Sequence, residues 1–452
     1  VRWRAKSTSW ISLKDANDGD PLGLAELAVA MRVLNEPPFE WWVNHALRQR
    51  TRIISRLKSK MIRKGKTKFG IEVPGSWEEA VKIDEKNNNR LWQDAIEKEY
   101  RNAQCAFKLL ARGDKPPPRY KEILCHLVFD VKLDMTRKAR YVAGGHLTDV
   151  PANMTYSSVV SRDTVRIGFL VAALNDLDIL AGDIQNAFLS APTEEKIFFY
   201  AGDEWGADKD RVVVVVRALY GLKSSALQFR NHLAVTLGNK LGFKSCLADP
   251  DLWYKACIDA DGNEYYAYIL VYVDDLLIID KDPKRFMTQV QSDFTVNKES
   301  IGPPERYLGA DTRKVTVNGR SFWTMSSKSY LDKAIKNLKA KLKESGLEYN
   351  KKLSDPSYSP KQPFTTASYR PELDTSEECT DDQITLYQNL IGILRWAVEL
   401  GRIDIAYEVS VLSRYLVSPR TGHLLQAIHA FKFLDIHKDN ELAFRPDVPN
   451  LD

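Results

Sequence analysis

The most regular hydrophobic pattern in the chain lies in the segment YYAYILVYVDDLLIID, residues Tyr265–Asp280. Two apolar, aromatic and β-branched runs, Tyr265–Val273 and Leu276–Ile279, flank one acidic pair, Asp274-Asp275. Runs of this length around a polar dipeptide predict a β-hairpin with the two carboxylates at its tip. A tight turn that uses Asp only for backbone hydrogen bonds would give the same local pattern.

Other apolar runs predict further strands. In Leu177–Leu189 a short apolar run ends at Asp183 and a helical pattern follows, so the strand delivers an acid at its C-terminal end. The β-branched run Arg211–Arg217 predicts a buried strand. Leu124–Leu133 and Arg137–Ala143, joined by a polar turn at 134–136, predict a second hairpin.

Helical spacing of apolar residues marks several other segments. One helix follows Asp163, which is its expected N-cap. Another lies within Met325–Lys352, with an apolar stripe and a lysine-rich face that is either solvated or suited to nucleic-acid phosphates. The remaining predicted helices are Leu22–Leu34, Trp92–Phe107 and the helical region Leu386–Leu434. Ser354–Thr380, rich in Pro, Ser, Thr and Glu, predicts a linker.

Charge is unevenly distributed along the 452 residues. The formal net charge is only +5, yet Arg48–Lys68 holds ten Lys or Arg residues and no acid. Its apolar positions have helical spacing, which predicts a basic amphipathic helix. That helix is either a phosphate-contacting or nuclear-import segment or a solvated linker. The hydrophobic content of 44% is sufficient for two to three globular domains.

The five cysteines lie far apart without a CxxC pair, so neither a zinc site nor a disulfide framework is indicated. A reducing, intracellular setting is the default expectation. No signal peptide and no apolar run of membrane-spanning length is found. The sequence lacks a starting Met, and we expect it to be part of a longer polyprotein.

Three acids carry the candidate chemistry: Asp183, Asp274 and Asp275. Adjacent carboxylates repel, so in a partly desolvated place one takes up a proton unless a cation arrives. Hard divalent metals such as Mg²⁺ prefer carboxylate oxygens. The hairpin is therefore a candidate for part of a metal site.

Three motifs occur in order: Asp183–Leu189, Ala218–Lys223 (ALYGLK) and Tyr272–Asp275 (YVDD). They resemble motifs A, B and C of the reverse transcriptase of copia-type LTR retrotransposons, and the resemblance runs from about Trp92 to Leu434. It implies an α+β, right-hand polymerase fold with fingers, palm and thumb, an antiparallel palm sheet and helical flanking regions.

The resemblance also implies an RNA-directed DNA polymerase that extends a primer 3′-hydroxyl with dNTPs on an RNA or DNA template. Two Mg²⁺ ions, or Mn²⁺, would be held by Asp183, Asp274 and Asp275, with Asp183 and Asp274 as the favoured direct ligands. One ion would activate the 3′-hydroxyl and the other would neutralise the triphosphate.

Further roles follow from positions that match the family. Phe188 would exclude a 2′-hydroxyl, although it could also be an ordinary core aromatic. Tyr220, Gly221 and Lys223 would lie beside the nascent base pair. In the fingers hairpin, Arg140 is the first choice for a triphosphate contact, with Lys138 and Arg137 behind it, although each could be a simple surface charge. Tyr307-Leu308-Gly309 resembles the short motif that supports the primer end.

The resulting division places a partial chromodomain-like segment at 1–35, a basic helix and linker at 36–90, and reverse transcriptase fingers and palm at 91–325. A thumb-like helix and linker follow at 326–380. We expect a helical connection segment at 381–452 that precedes an RNase H domain absent from this sequence. His423 matches a family position, but a lone His is more often structural.

Some positions depart from the family pattern. Gln185 stands where Lys is common, and Ser224 and its neighbours replace the usual residues after Lys223. An alternative is therefore a catalytically inactive, retrotransposon-derived nucleic-acid-binding remnant, and a weaker one is a chromatin-targeting adaptor. Expected partners are template–primer, dNTPs and other parts of a Gag-Pol polyprotein, without a membrane. The expected location is intracellular, in a cytoplasmic virus-like particle, the nucleus or both.

Overall fold

A computed structural model describes residues 13, 21–34, 36–40, 42–44, 47–48, 67–68, 71–132, 135–145, 148, 157–344 and 359–447. Val1–Ser12 of the predicted chromodomain-like segment and residues 49–66 of the predicted basic helix lie outside these ranges. Within them, no helix is long and apolar enough to cross a lipid bilayer.

The α-helices of the described ranges are α1 Pro21–Ala30, α2 Pro37–Glu40, α3 Trp77–Lys86, α4 Leu91–Ala103, α5 Arg162–Leu174, α6 Ala187–Ser190, α7 Ser225–Val235, α8 Pro283–Gln291, α9 Lys328–Glu344, α10 Asp381–Glu399, α11 Ala406–Leu412 and α12 Thr421–Ile436. The strands are β1 Thr67–Lys68, β2 Ile71–Glu72, β3 Phe107–Leu109, β4 Lys121–Glu122, β5 Cys125–Val131, β6 Arg137–Ala143, β7 Asp178–Asp183, β8 Ile197–Tyr200, β9 Val212–Val215, β10 Lys244–Ser245, β11 Leu252–Ile258, β12 Glu264–Tyr272, β13 Asp275–Asp280, β14 Arg306–Tyr307, β15 Ala310–Val317, β16 Arg320–Ser326 and β17 Glu441–Phe444. The α+β class is confirmed.

The chain divides into two compact units. The first comprises residues 1–104, 124–142 and 201–210, and the second comprises 105–123, 143–200 and 211–452. In the first unit, β5 and β6 form the predicted hairpin. The side chain of Asp84 accepts hydrogen bonds from the N–H groups of Trp92 and Gln93 and so caps α4. Buried Trp92 meets Phe129 edge to face, with ring centroids 5.6 Å apart.

A five-stranded sheet in the order β10-β11-β12-β13-β7 forms the centre of the second unit. All of its neighbouring strands are antiparallel. One face packs on α5 through a core that includes Phe169, Leu270 and Leu277. The other face packs on α7 and α8, with Phe229 and Met287 in that core. Both faces are thus covered, which holds the strand ends that carry the acids.

A second sheet, β14-β15-β16-β17, a third, β3-β9-β8-β4, and a helical bundle also belong to this unit. The bundle joins α9, α10 and α12 around one core that includes Leu331, Tyr387 and Phe431. The domain boundary predicted between residues 380 and 381 therefore lies within a region that shares a single hydrophobic core. The described part of the predicted linker is also hydrogen-bonded to α12. The Gln426 side chain accepts from the Thr365 N–H and donates to the Thr365 hydroxyl.

The predicted N-cap of α5 is wrong. Ser161 is the N-cap residue, and its hydroxyl accepts a hydrogen bond from the Thr164 N–H. Asp163 instead lies within the first turn, where it pairs with Arg166 at 2.9 Å. The predicted structural role of His423 is confirmed: its ring accepts the Arg420 N–H at Nδ1 and contacts the Pro371 carbonyl at 2.9 Å through Nε2.

Candidate active site

The predicted acidic hairpin is present at the end of β12 and β13. Tyr272 pairs with Asp275, so Val273 and Asp274 form a two-residue turn and Asp275 is the first residue of β13. Val273 has a φ of +57°, a left-handed conformation that is strained for a β-branched side chain. Strain of this kind persists only where surrounding structure imposes it, and it is concentrated at functional sites.

The third predicted acid lies on the neighbouring strand. Asp183 at the end of β7 stands directly opposite Asp275 in the antiparallel ladder. The Ile184 N–H donates to the Asp274 carbonyl at 2.8 Å, which ties the chain after β7 to the acidic turn. The Asp183 N–H donates to Ser300 Oγ at 2.8 Å, and the Asp183 carbonyl accepts from the Asn297 N–H at 2.9 Å. The backbone at Asp183 is therefore hydrogen-bonded to Asn297 and Ser300, and the next residue is hydrogen-bonded to the acidic turn.

Electrostatics distinguish Asp275 from an ordinary surface carboxyl. Burial raises its pKa to about 6, and the negative charges of Asp274 and Asp183 act in the same direction. Burial, together with the Asp275 charge, also raises the pKa of the Tyr307 phenol. The mutual repulsion of these carboxylates favours an added cation.

The donor chemistry fits a hard divalent ion, since three carboxylates supply only oxygen ligands. Among the residues that the structure describes, however, no group of three or more His, Cys, Asp or Glu side chains is already arranged as a metal site. The assignment of Asp183, Asp274 and Asp275 as ligands therefore stays a prediction.

Phe188, five residues after Asp183, is half-buried at the start of α6. Its ring lies 5.1 Å from the ring of Tyr220 and 6.2 Å from that of Phe229, measured between centroids. The predicted motif A and motif B aromatics are thus in contact. Tyr220 and Phe229 brace one part of the Phe188 ring and leave the remainder accessible.

Gly221, which follows Tyr220, has a φ of +90°, a conformation that favours glycine. The Tyr220 carbonyl accepts the Ala143 N–H at 2.7 Å. A Cβ on Gly145 would lie 2.0 Å from the Gly221 carbonyl oxygen, so only glycine fits where these two segments cross. Lys223 is half-buried and its Nζ donates to the Thr148 carbonyl at 2.7 Å. Its predicted place beside a template base stays a prediction.

A contact that the sequence did not reveal lies next to Lys223. Glu195 accepts hydrogen bonds from both the N–H and the hydroxyl of Ser224 at the start of α7. The hydroxyl of Ser225 donates to the Leu219 carbonyl at 2.7 Å. Both serines, which depart from the family pattern, therefore have hydrogen-bond partners within the protein. Only their position after ALYGLK could have drawn attention to them.

Arg140 and Lys138 belong to the first compact unit, on the same face of β6, and both are half-buried. Burial raises the pKa of nearby Glu99, while the Tyr141 N–H and the charges of Arg140 and Lys138 oppose that shift. Arg137 alternates to the opposite face, where its guanidinium lies 5.9 Å from the Trp92 ring. The two preferred cations thus share a face, and their contact with a nucleotide stays a prediction.

The lysine face of α9 is partly neutralised within the protein. Lys328 pairs with Asp439, and Lys339 pairs with Asp435 at 2.9 Å. Lys333 and Lys336 are exposed on the same helix. The predicted apolar stripe is buried as expected, so the helix has the amphipathic character that the sequence predicted.

Comparison with known proteins places these features in one family. Residues 114–345, more than half of the chain, match the family model described as reverse transcriptase (RNA-dependent DNA polymerase). The putative transposon Ty5-1 protein of Saccharomyces cerevisiae is 30% identical over 267 residues, which covers 58% of this chain and 78% of that protein. The retrovirus-related Pol polyprotein from transposon TNT 1-94 of Nicotiana tabacum is 26% identical over 362 residues, which is 77% of this chain but 25% of the polyprotein.

A foamy viral protease-reverse transcriptase, solved in complex with double-stranded DNA, is a structural neighbour with a TM-score of 0.37 and 13% identity. The match covers 75% of this chain and 48% of that one. On the family match and the yeast transposon relative, this chain belongs to the reverse transcriptase (RNA-dependent DNA polymerase) family.

Proposed function

We propose that this chain extends a primer 3′-hydroxyl with dNTPs on an RNA or DNA template, and that Asp183, Asp274 and Asp275 hold the required Mg²⁺ ions, with Mn²⁺ as a substitute. The observation that supports this most directly is the pairing of Asp183 with Asp275 beside the Asp274 turn, where burial and, after it, the neighbouring like charges raise the pKa of Asp275. Two bound ions would activate the primer hydroxyl and stabilise the charge of the triphosphate and the leaving pyrophosphate.

The protein's own residues would position the reactants. The turn at Val273-Asp274 presents one carboxylate, and the start of β13 and the end of β7 present the other two. Positioning and charge stabilisation account for the rate, since no nucleophilic side chain is needed. Arg140 and Lys138 would contact the triphosphate, while Gly221 and Lys223 would border the nascent base pair.

Sugar selection would depend on Phe188. Its ring is braced by Tyr220 and Phe229, so it cannot move aside easily to admit a 2′-hydroxyl. Steric exclusion of this kind rejects a competing substrate without adding affinity for the preferred one. Template–primer and other segments of a Pol polyprotein are the proposed partners, because the tobacco relative carries a Pol polyprotein name and only 25% of it is covered by this chain.

Primer extension on poly(rA)/oligo(dT), with Mg²⁺ and dTTP, tests the proposal by comparing the chain with Asp274→Asn. Extension by the parent and none by the variant, with similar template–primer binding, supports both the activity and the metal site. Equal extension by both proteins would show that the metal-site assignment is wrong. Tight template–primer binding without extension by either protein would favour the catalytically inactive remnant.

A second assay tests the sugar discrimination in the same protein. Phe188→Ala should raise incorporation of rUTP relative to dTTP by at least about tenfold, because the excluded volume is removed. Tyr266→Ala, which truncates an exposed aromatic residue on β12, is the matched control and should leave the ratio unchanged. An unchanged ratio in Phe188→Ala would assign this ring to the core alone.

A further inference from the structure

The hairpin turn Leu308-Gly309, hereafter the Leu308 turn, has an unusual backbone. It joins β14 to β15, with Tyr307 opposite Ala310. Leu308 has a φ of +46° and Gly309 a φ of +89°, so both turn residues are left-handed. A two-residue turn with two positive φ values matches the twist of a hairpin, but the first position is costly for Leu.

One side chain contacts this turn and two other parts of the second unit. Arg162, the first residue of α5, donates from Nη1 to the Leu308 carbonyl at 3.4 Å and to the Glu399 carbonyl at 3.5 Å. Its Nε lies 3.4 Å from the Glu399 carboxylate, and its guanidinium lies 4.5 Å from the centre of the Trp396 ring. The two hydrogen bonds are long, so the restraint comes from the combination of contacts.

The surroundings of Gly309 extend this arrangement. A Cβ built on Gly309 would lie 3.5 Å from Leu400 Cδ2 and 3.6 Å from Trp396 Cζ2, so the turn rests against the C-terminal end of α10. Arg162 also carries a positive charge to the negative end of that helix dipole. The Leu308 turn and the end of α10 are therefore held as one assembly.

The same end of α5 is joined to the acidic hairpin. The Val160 N–H, two residues before Arg162, donates to the Val271 carbonyl at 3.0 Å. Val271 lies on β12, immediately before Tyr272 and the acidic turn. The chain segment that carries Arg162 thus contacts both the strand that leads to the acids and the Leu308 turn.

Arg166, one helical turn further along α5, provides a natural comparison. Its Nη2 donates to the carbonyls of Val398 at 3.5 Å and Glu399 at 3.1 Å, and its Nη1 pairs with Asp163. In the part of the chain that the structure describes, none of its hydrogen bonds reaches the Leu308 turn. Arg162 and Arg166 therefore share the contact with α10 and differ in the contact with the turn.

We infer that Arg162 is a positioning residue that holds the Leu308 turn in register with the acidic hairpin by joining it to the end of α10. The consequence for catalysis rests on the proposed polymerase function and on the predicted role of the Leu308 turn at the primer end. A shift of this turn would misplace the primer 3′-hydroxyl relative to Asp183, Asp274 and Asp275, with little effect on the affinity for template–primer.

The experiment compares Arg162→Ala with Arg166→Ala. For Arg162→Ala we expect kcat in primer extension to fall about tenfold, as for a slightly misplaced reacting group, while the Kd for template–primer changes less than about threefold. Arg162→Lys should recover only part of the rate, because an ammonium cannot reproduce the planar contacts. Arg166→Ala should change kcat less than about threefold, since it leaves the turn contact in place.

Amide hydrogen exchange gives a readout that does not depend on activity. Exchange in residues 306–310 should accelerate at least about tenfold in Arg162→Ala and remain near the parent rate in Arg166→Ala. Trp396→Leu, which removes the ring beneath the guanidinium, should have an intermediate effect.

Equal effects of the two alanine variants on rate and exchange would overturn the inference, because docking of α10 alone would then explain both. Unchanged amide exchange in residues 306–310 of Arg162→Ala would overturn the inference as well. If the parent protein failed to extend primers at all, the proposed function would be wrong, while the exchange comparison would still decide whether Arg162 holds the turn.

Discussion

The ladder between β7 and β13 has a pair of acids at each end, and the two pairs have opposite environments. At one end Asp183 stands opposite Asp275, and at the other Asp178 stands opposite Asp280. Asp280 is fully buried and accepts hydrogen bonds from Arg285 at 2.8 and 3.0 Å and from the Tyr265 hydroxyl at 2.9 Å. Asp178 pairs with Lys314 at 2.9 Å.

The chain thus supplies cations at one end of this ladder. At the other end, no Lys, Arg or His of the described ranges forms an ion pair with Asp274 or Asp275, and the pKa of Asp275 rises to about 6. A buried acid that is paired within the protein destabilises the fold when its partner is removed, whereas adjacent carboxylates such as Asp274 and Asp275 are suited to an added cation. The comparison distinguishes a structural pair from a candidate ligand pair on the same two strands.

The largest expected effect comes from matched substitutions at the two ends of β7. Asp183→Asn should reduce primer extension at least about 10³-fold, because a proposed metal ligand is lost. Asp178→Asn, the same change on the same strand, should leave the rate within about twofold, since that exposed carboxylate only pairs with Lys314. Steady-state primer extension measures both. Similar rates for the two variants would remove the functional distinction between the ends.

Removal of the cation beside Asp280, at the other end of the ladder, should lower stability and leave activity unchanged. Arg285→Ala leaves the buried Asp280 carboxylate without its ion pair and should lower the free energy of unfolding by about 3 kcal/mol. Urea denaturation followed by circular dichroism measures this change. The specific activity of the folded fraction should remain close to that of the parent. An unaltered urea midpoint would mean that Arg285 does not compensate Asp280.

The pH dependence of stability tests the end of the ladder where Asp183 stands opposite Asp275. The folded-state pKa of Asp275 is raised from 3.8 to about 6, so between these values the folded protein binds more protons at this group than the unfolded chain does. Its contribution to the free energy of unfolding therefore falls as the pH rises from about 4 to 6. Asp275→Asn should raise the free energy of unfolding at pH 7.5 by about 1 kcal/mol, a value reduced for the partial exposure of the carboxyl.

Mg²⁺ should act on the parent in the same direction as that substitution. Millimolar Mg²⁺ should raise the Tm of the parent by about 2 °C at pH 7.5 and much less at pH 5, where a proton already occupies the site. Asp275→Asn should show a smaller response at both pH values. A response independent of pH and of Asp275 would locate Mg²⁺ binding elsewhere.

The smallest effect is expected from the exposed ion pair. Lys314→Ala should change the free energy of unfolding by less than about 0.5 kcal/mol, because both partners lie in water. The same urea experiment measures it beside Arg285→Ala. A loss comparable to that of Arg285→Ala would contradict the distinction between exposed Asp178 and buried Asp280.

Local pattern was enough to predict much of this site. The apolar runs around Asp274-Asp275 specified a hairpin, and the run that ends at Asp183 specified a strand that delivers an acid. Their convergence was implied by the resemblance to the reverse transcriptase motifs. Family resemblance supplied the functional interpretation of Phe188, which the structure places against Tyr220.

Features that depend on distant partners could not be predicted in this way. The sequence does not show that Glu195 binds Ser224, that Arg285 reaches Asp280, or that Arg162 meets the Leu308 turn, because no short-range periodicity links these residues. The N-cap of α5 was misassigned for a smaller reason: Ser161 and Asp163 are both good capping residues, and only the backbone distinguishes them.

The last strand has a consequence for how the protein is made on the ribosome. β17 pairs with β16, with Phe444 opposite Trp323, so the whole helical bundle is translated between the two partners. Until that strand emerges, β16 presents an open edge that another nascent chain could pair with. Closing so long a loop is also slow compared with forming local hairpins. Nascent chains should therefore be most prone to aggregation, and most dependent on chaperones, in the interval before Glu441–Phe444 leaves the exit tunnel.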